Sequence, residues 1–110
     1  MVFIESKAFT RRLRELAKDE SDAVLIEIQS TLSENPARGA LVKGLGGIRK
    51  ARSSDPSRGK GKRGGLRYMY LYLEHKRHVH LLFLFAKNEQ EDLDSAQRDL
   101  LRQIVKEIKA

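Results

Sequence analysis

Residues 66–86, LRYMYLYLEHKRHVHLLFLFA, carry the strongest β-strand signal in the chain. Leu66–Leu73 is rich in aromatic and branched residues, which are typical of strands. Because side chains alternate along a strand, three tyrosines share one face, and Arg67 shares the other with three apolar residues. A strand that is apolar on both faces is central and covered on both sides. The polar residues 74–77 then predict a hairpin turn, with His78–Ala86 as the antiparallel partner strand.

The residues before this hairpin predict a strand, two helices and one or two further strands. Val2–Glu5 is a short β-branched and aromatic run, and Ser6 is a suitable N-cap for a helix over residues 7–18. A second helix is predicted over residues 22–34, where Asn35-Pro36 ends it. Two strands are predicted next, a short one over residues 41–43 and a longer one over residues 48–53. The helical stripes expected to be buried are Phe9, Leu13, Leu16 and Ala17 in the first helix, and Leu25, Ile28 and Leu32 in the second.

The residues after the hairpin predict a final helix over residues 95–109. Asp94 with Gln97 three positions later resembles a capping box. The helix is expected to bury Ala96, Leu100, Leu101, Ile104 and Ile108. The resulting order, β-α-α-β-β-β-α, predicts a single α+β domain over residues 1–110, with a largely antiparallel sheet packed by helices.

Composition limits the kind of protein this chain encodes. Its 110 residues are 40% hydrophobic and 34% charged, which suits one globular domain. Cysteine is absent, so disulfides and thiolate chemistry are excluded. No apolar run approaches the ~20 residues of a membrane span, and MVFIES does not resemble a signal peptide. We therefore expect a cytoplasmic protein with no membrane association.

Positive charge is concentrated ahead of the central strand. Residues 38–67 hold ten Lys or Arg against a single acid, Asp55, a formal +9, whereas the whole chain is +7 and the other 80 residues total −2. A local block of cations on a small domain indicates a polyanion site, for which RNA or DNA is the usual ligand. The glycines of this region match neither a dinucleotide fingerprint nor a Walker motif, since Arg49 replaces the third glycine and no Ser or Thr follows either Gly-Lys pair.

The predicted topology brings the cations to one end of the sheet. The strand that begins at residue 66 starts at the basic loop, and its partner strand returns to the same end. The side chains expected to converge there are Lys50, Arg52, Lys60, Lys62, Arg63, Arg67 and Lys87. The three histidines near the hairpin tip lie a full strand away, roughly 25 Å at ~3.3 Å per residue, and are excluded from the site.

Three segments resemble a known protein family. GGIRKAR (46–52), RGGLRYMY (63–70) and LLFLFAKNEQEDL (81–93) are similar to the sheet core of RelE/HigB-type toxins from bacterial type II toxin–antitoxin systems, within the RelE/ParE superfamily. GKGKRGG (59–65) and AKNE (86–89) most resemble the HigB-like branch. The resemblance implies a compact fold like that of microbial ribonucleases. It also implies a metal-independent, cofactor-free endoribonuclease that cleaves messenger RNA on the ribosome, inhibits translation and arrests growth. A cognate antitoxin with a helix-turn-helix, HigA-like, is the implied partner.

The resemblance also implies roles for individual residues. Arg67 matches the strand arginine that stabilises the phosphate, and the implied catalytic set is Arg67, Lys87, Glu89, Lys50 and Lys62. The implied RNA-binding set is Arg49, Arg52, Arg58, Lys60 and Arg63. One departure is that no tyrosine stands near Asp94, where some members carry a catalytic tyrosine.

Two alternative functions remain open on the sequence. One is a ParE-like toxin that acts on gyrase, although the basic end of the sheet disfavours it. The other is a noncatalytic RNA-binding module. The acidic residues 89–94 could suggest a magnesium site, but at the start of a helix they more simply complement the positive end of its dipole. Glu89 is kept among them as a candidate for proton transfer.

Overall fold

A computed structural model of the chain describes residues 1–53, 65–90 and 92–110. Its strands are β1 (Val2–Glu5), β2 (Ala40–Leu41), β3 (Arg49–Ser53), β4 (Leu66–Leu73) and β5 (His78–Ala86). Its helices are α1 (Lys7–Ala17), α2 (Ser21–Glu34) and α3 (Ser95–Lys109), with a 3₁₀ turn (Lys18–Glu20) between α1 and α2. Among the described residues, no helix combines the length and the apolarity needed to cross a membrane.

The five strands form one sheet in the order β1-β5-β4-β3-β2. All neighbouring pairs are antiparallel except β1 and β5, which are parallel. The predicted α+β class, with a largely antiparallel sheet and β4 at its centre, is thereby confirmed. The short strand near residue 41 also exists, but it covers Ala40–Leu41 and not residues 41–43.

The sheet separates two apolar cores. Tyr68 and Tyr70 point to one face, where they pack with Phe9 of α1 and Ile28 of α2. Met69, Leu71 and Leu73 point to the other face, under α3. β4 is thus covered on both sides, as its sequence predicts, and it is rigidly held by dense packing.

Side-chain caps fix where two helices begin. The Ser6 hydroxyl accepts a hydrogen bond from the Phe9 amide at 3.0 Å and donates one to the Leu82 carbonyl at 2.8 Å, which ties the start of α1 to β5. Asp94 and Gln97 form a reciprocal capping box at the start of α3. Both predicted caps are confirmed.

The predicted buried face of α3 is partly wrong. Ala96 is exposed and Leu100 is 59% exposed, whereas Leu101 and Val105 are buried. The buried stripe has the spacing i, i+3, i+4 and i+7, from Leu101 through Ile104 and Val105 to Ile108. Leu100 precedes this stripe by one position, about 100° around the helix, and therefore points to solvent.

Candidate nucleic-acid interface

An open cleft lies over one end of the sheet, where β2, β3 and β4 meet. It has a volume of about 560 Å³, and we call it the basic cleft; its lining residues are Arg38, Gly39, Ala40, Lys50, Ala51, Arg52 and Arg67. Four of these carry a positive charge, and none is acidic. The strand register explains their proximity, since Ala40 lies opposite Lys50 and Arg52 lies opposite Arg67.

Arg52 and Arg67 are direct cross-strand partners on β3 and β4. Like charges opposite each other on a sheet destabilise it. The pKa of Arg67 is lowered, first by partial burial and then by the charge of Arg52. Both effects disfavour the charged form of Arg67, and an anion bound near the two strands would favour it. Two such cations side by side can form charge-assisted hydrogen bonds to a phosphate or a similar anionic group.

Lys50 adds a third cation on the same face, because it lies two residues before Arg52. Its Nζ is 3.6 Å from Oδ1 of Asp92, which lies just ahead of α3. The sequence prediction did not include Asp92 in the site. Asp92 gives Lys50 a counter-ion at the border of the basic cleft.

Arg38 is a fourth cation that was not assigned to the site from sequence. It follows the Asn35-Pro36 stop of α2, within the basic stretch, and that position was the available signal. Its segment is held by the Tyr70 hydroxyl, which accepts from the Gly39 amide at 2.9 Å and donates to the Pro36 carbonyl at 2.7 Å. Gly39 is also packed closely, since a Cβ at this position would lie 2.8 Å from the Lys50 carbonyl oxygen. A substitution here would therefore displace the wall of the basic cleft.

Arg49, a predicted RNA-binding residue, lies outside the cleft lining. Strand alternation places it on the opposite face from Lys50. Its Nη1 donates to the carbonyls of Ala37 and Gly39, at 3.3 and 2.7 Å. Its guanidinium thus fastens β3 to the segment after α2.

Lys87 and Glu89 follow β5 at the same end of the sheet. The Lys87 amide donates to the Gly65 carbonyl at 2.9 Å, and its side chain is exposed. The Glu89 carboxylate accepts a hydrogen bond from the Ala86 amide at 2.9 Å and forms an ion pair with Arg12. Burial alone would raise the pKa of Glu89, but these partners outweigh it and hold the pKa below its usual value. Glu89 is therefore ionised and engaged at neutral pH.

Four of the predicted site residues, Arg58, Lys60, Lys62 and Arg63, lie outside the described residues. Their roles stay predictions.

The histidines lie at the opposite end of the sheet, as expected. The rings of His78 and His80 are 6.4 Å apart, and the pKa of His80 is lowered by burial and by the nearby charge of His78. In the part of the chain that the structure describes, no three metal-ligating side chains come together.

Comparisons with known proteins give the same fold. Residues 2–110 match a family model described as the RelE toxin of the RelE/RelB toxin–antitoxin system. A mutant of the Escherichia coli toxin RelE in the free state is 14% identical in sequence to this chain. The two structures match with a TM-score of 0.57, over 82% of this chain and 86% of the E. coli chain. The isolated E. coli toxin is 12% identical, with a TM-score of 0.56 over 94% and 97%. A chain of the archaeal RelE–RelB complex from Pyrococcus horikoshii is 16% identical to this chain, with a TM-score of 0.55 over 81% of this chain and 97% of the archaeal one.

Proposed function

Because the chain belongs to the RelE family of toxins from toxin–antitoxin systems, we propose that it is a ribosome-dependent endoribonuclease that cleaves messenger RNA and so inhibits translation. The observation that carries this proposal is the cross-strand pair Arg52 and Arg67 in the basic cleft. Two cations that face each other on neighbouring strands suit a site that binds a phosphate group. The HigB-like character of the chain is part of the proposal.

The proposed reaction uses the substrate's own 2′-hydroxyl as the nucleophile. Its oxygen attacks the adjacent phosphorus, the bond to the 5′-oxygen breaks, and a 2′,3′-cyclic phosphate forms. Negative charge on the non-bridging oxygens grows in the transition state. Arg67 and Arg52 stabilise that charge from β4 and β3, with Lys50 beside them. Fixing the phosphate in line with the attacking hydroxyl supplies much of the remaining rate.

Proton transfer in this reaction requires a base for the 2′-hydroxyl and an acid for the leaving oxygen. Among the described residues, Lys50 in the basic cleft and Lys87 beside it are the candidates. Lys62 remains a candidate by prediction alone. Glu89 suits this role less well, because its carboxylate is already engaged by Arg12 and the Ala86 amide.

An antitoxin is the proposed protein partner. Solved structures of RelE toxins include complexes with RelB from E. coli and P. horikoshii. We extend this to the present chain and expect a cognate antitoxin, with a HigA-like helix-turn-helix protein as the form suggested by the sequence resemblance. A toxin that acts on ribosomes works in the cytoplasm.

The decisive test replaces Arg67 by alanine and expresses the toxin from an inducible promoter. Growth should no longer arrest, and cleavage of messenger RNA on translating ribosomes, mapped by primer extension, should fall about 10²–10³-fold. Arg14→Ala is the matched control, since Arg14 is an exposed arginine on α1 outside the basic cleft, and it should keep full toxicity. DNA damage without RNA cleavage would indicate a ParE-like toxin, and RNA binding without cleavage would indicate a binding module. Full toxicity of the Arg67 variant would refute the assignment.

A further inference from the structure

The geometry points to Arg12 and Glu89 as positioning residues, which hold the turn that carries Lys87 beside the basic cleft. The activity part of this inference rests on the proposed function. Arg12 lies on α1, 77 positions before Glu89 in the chain. Glu89 entered the prediction as a candidate for proton transfer.

The turn is the first link between these residues and the cleft. The Glu89 amide donates to the Ala86 carbonyl at 3.0 Å, which closes a four-residue turn with Lys87 in its middle. The Lys87 amide in turn donates to the carbonyl of Gly65, which lies two residues before Arg67. The backbone of Lys87 is thus bonded to the residue that immediately precedes β4, the strand that carries Arg67.

The Glu89 carboxylate is the second link. Its Oε1 accepts a hydrogen bond from the amide of Ala86, which is the first residue of the turn, whereas Glu89 itself is the last residue. The same oxygen accepts from Nη2 of Arg12. A carboxylate with two such donors makes charge-assisted hydrogen bonds, which are stronger than neutral ones. Both ends of the turn are therefore held by one side chain.

Arg12 is the third link and attaches the turn to the packed body of the protein. Its Nε is 3.4 Å from the Leu84 carbonyl oxygen of β5, and its Nη1 bonds Oε1 of Glu15 at 3.2 Å. Its side chain is only 21% exposed, and the next residue, Leu13, is buried in the core. The guanidinium of Arg12 thus contacts both β5 and the turn, and the backbone of Arg12 is held in place by α1.

These contacts favour positioning over proton transfer for Glu89. To accept a proton, the carboxylate would have to give up its ion pair with Arg12, and the turn would loosen at the moment of reaction. Lys87 has an exposed side chain free to reach a substrate from a fixed backbone.

The cleavage test compares three single variants and one double variant, and a fourth single variant serves the exchange measurement below. Glu89→Gln keeps a side-chain oxygen for the Ala86 amide but removes the charge that Arg12 binds; Arg12→Gln removes the other partner. Each should lower the single-turnover rate of messenger RNA cleavage at saturating toxin about 10–100-fold, while ribosome affinity stays within about twofold. The cleavage rate of the double variant should be no lower than that of the less active single variant, because the two residues act as one unit. Glu15→Gln removes the charge of the second carboxylate that Arg12 binds, which does not touch the turn, and this variant should cleave like the wild type.

Amide hydrogen exchange, measured by NMR, supplies a readout that does not require cleavage. Exchange of the Lys87 amide should accelerate in both Glu89→Gln and Arg12→Gln and stay unchanged in Glu15→Gln. Arg12→Lys, which keeps a charge, should recover part of the protection and keeps the test valid if Arg12→Gln unfolds. A wild-type Lys87 exchange rate in the Glu89 and Arg12 variants would overturn the inference. The inference would also be overturned if Glu89→Gln lost cleavage while Arg12→Gln did not, or if the losses of the two single variants were additive in the double variant. If the wild-type toxin does not cleave RNA, the proposed function fails, and exchange alone decides the positioning role.

Discussion

Replacing Arg52 by glutamine should make the fold more stable and the toxin less active. Arg52 is exposed on β3 and lies directly opposite Arg67 on β4. Glutamine keeps a long polar side chain on the strand but removes one of the two like charges. The same change removes a proposed phosphate contact. Stability and activity are therefore expected to move in opposite directions.

The expected gain in stability follows from the pairing. Like charges directly opposite on neighbouring strands cost on the order of 0.2–1 kcal/mol. Solvent screens an exposed arginine, so we take about 0.5 kcal/mol as the free energy recovered. A domain of this size shifts its melting temperature by about 4–8 °C per kcal/mol. Arg52→Gln should thus melt about 2–4 °C higher than the wild type.

Salt dependence identifies the cause of the gain. The Debye length falls from about 10 Å at 0.1 M salt to about 3 Å at 1 M, so the repulsion should be largely screened at the higher concentration. Thermal unfolding followed by circular dichroism at both concentrations measures this directly. Arg14→Gln lowers the net charge by the same amount outside the basic cleft and should show no gain. A lower melting temperature for Arg52→Gln at 0.1 M salt, or a gain that persists at 1 M, would refute the reasoning.

Three further predictions follow from other contacts. Tyr70→Phe leaves the Gly39 amide without its hydroxyl acceptor and should cost about 1–3 kcal/mol in urea unfolding, with reduced cleavage because that segment lines the cleft; unchanged stability would contradict the contact. The pKa of Glu89 is lowered by the Ala86 amide and Arg12, so its carboxylate stabilises the fold above the unfolded pKa. This stabilisation is lost as pH falls through the folded pKa, and wild-type stability should therefore drop more steeply than that of Glu89→Gln in melts from pH 7 to 3. Parallel curves would exclude Glu89 as the source. Asp92→Asn removes the carboxylate beside Lys50 and should tighten RNA binding at low salt in fluorescence anisotropy, whereas unchanged affinity would mean that Asp92 does not offset the charge of Lys50.

The elements of the fold could be predicted because each has a local cause. β4 is apolar on both faces, and Ser6 and Asp94 supply caps that act within four residues of chain. The error on α3 has an equally local origin. Leu100 and Leu101 are adjacent and equally apolar, and only packing against the sheet decides which of them is buried.

The site could be predicted only in part, because it depends on contacts between distant segments. Alternation along β3 places Arg52 on the same face as Lys50 and on the opposite face from Arg49, but the sequence does not say which face carries the cleft. Nothing in the sequence indicated a role for Arg12, since its contact with Glu89 joins α1 to the turn after β5. Side chains that act across such separations are visible only once the strands are paired.

The order of the elements along the chain has a consequence for the toxin's synthesis. α3 is made after all five strands, so the face of the sheet that holds Met69 stays uncovered until the ribosome has translated residues 95–109. β1, in contrast, is made first and must wait for β5 before it can pair. Contacts between such distant segments form late in folding. The core that holds Phe9 is therefore incomplete until β5 has been made, and the core that holds Met69 until α3 has been made.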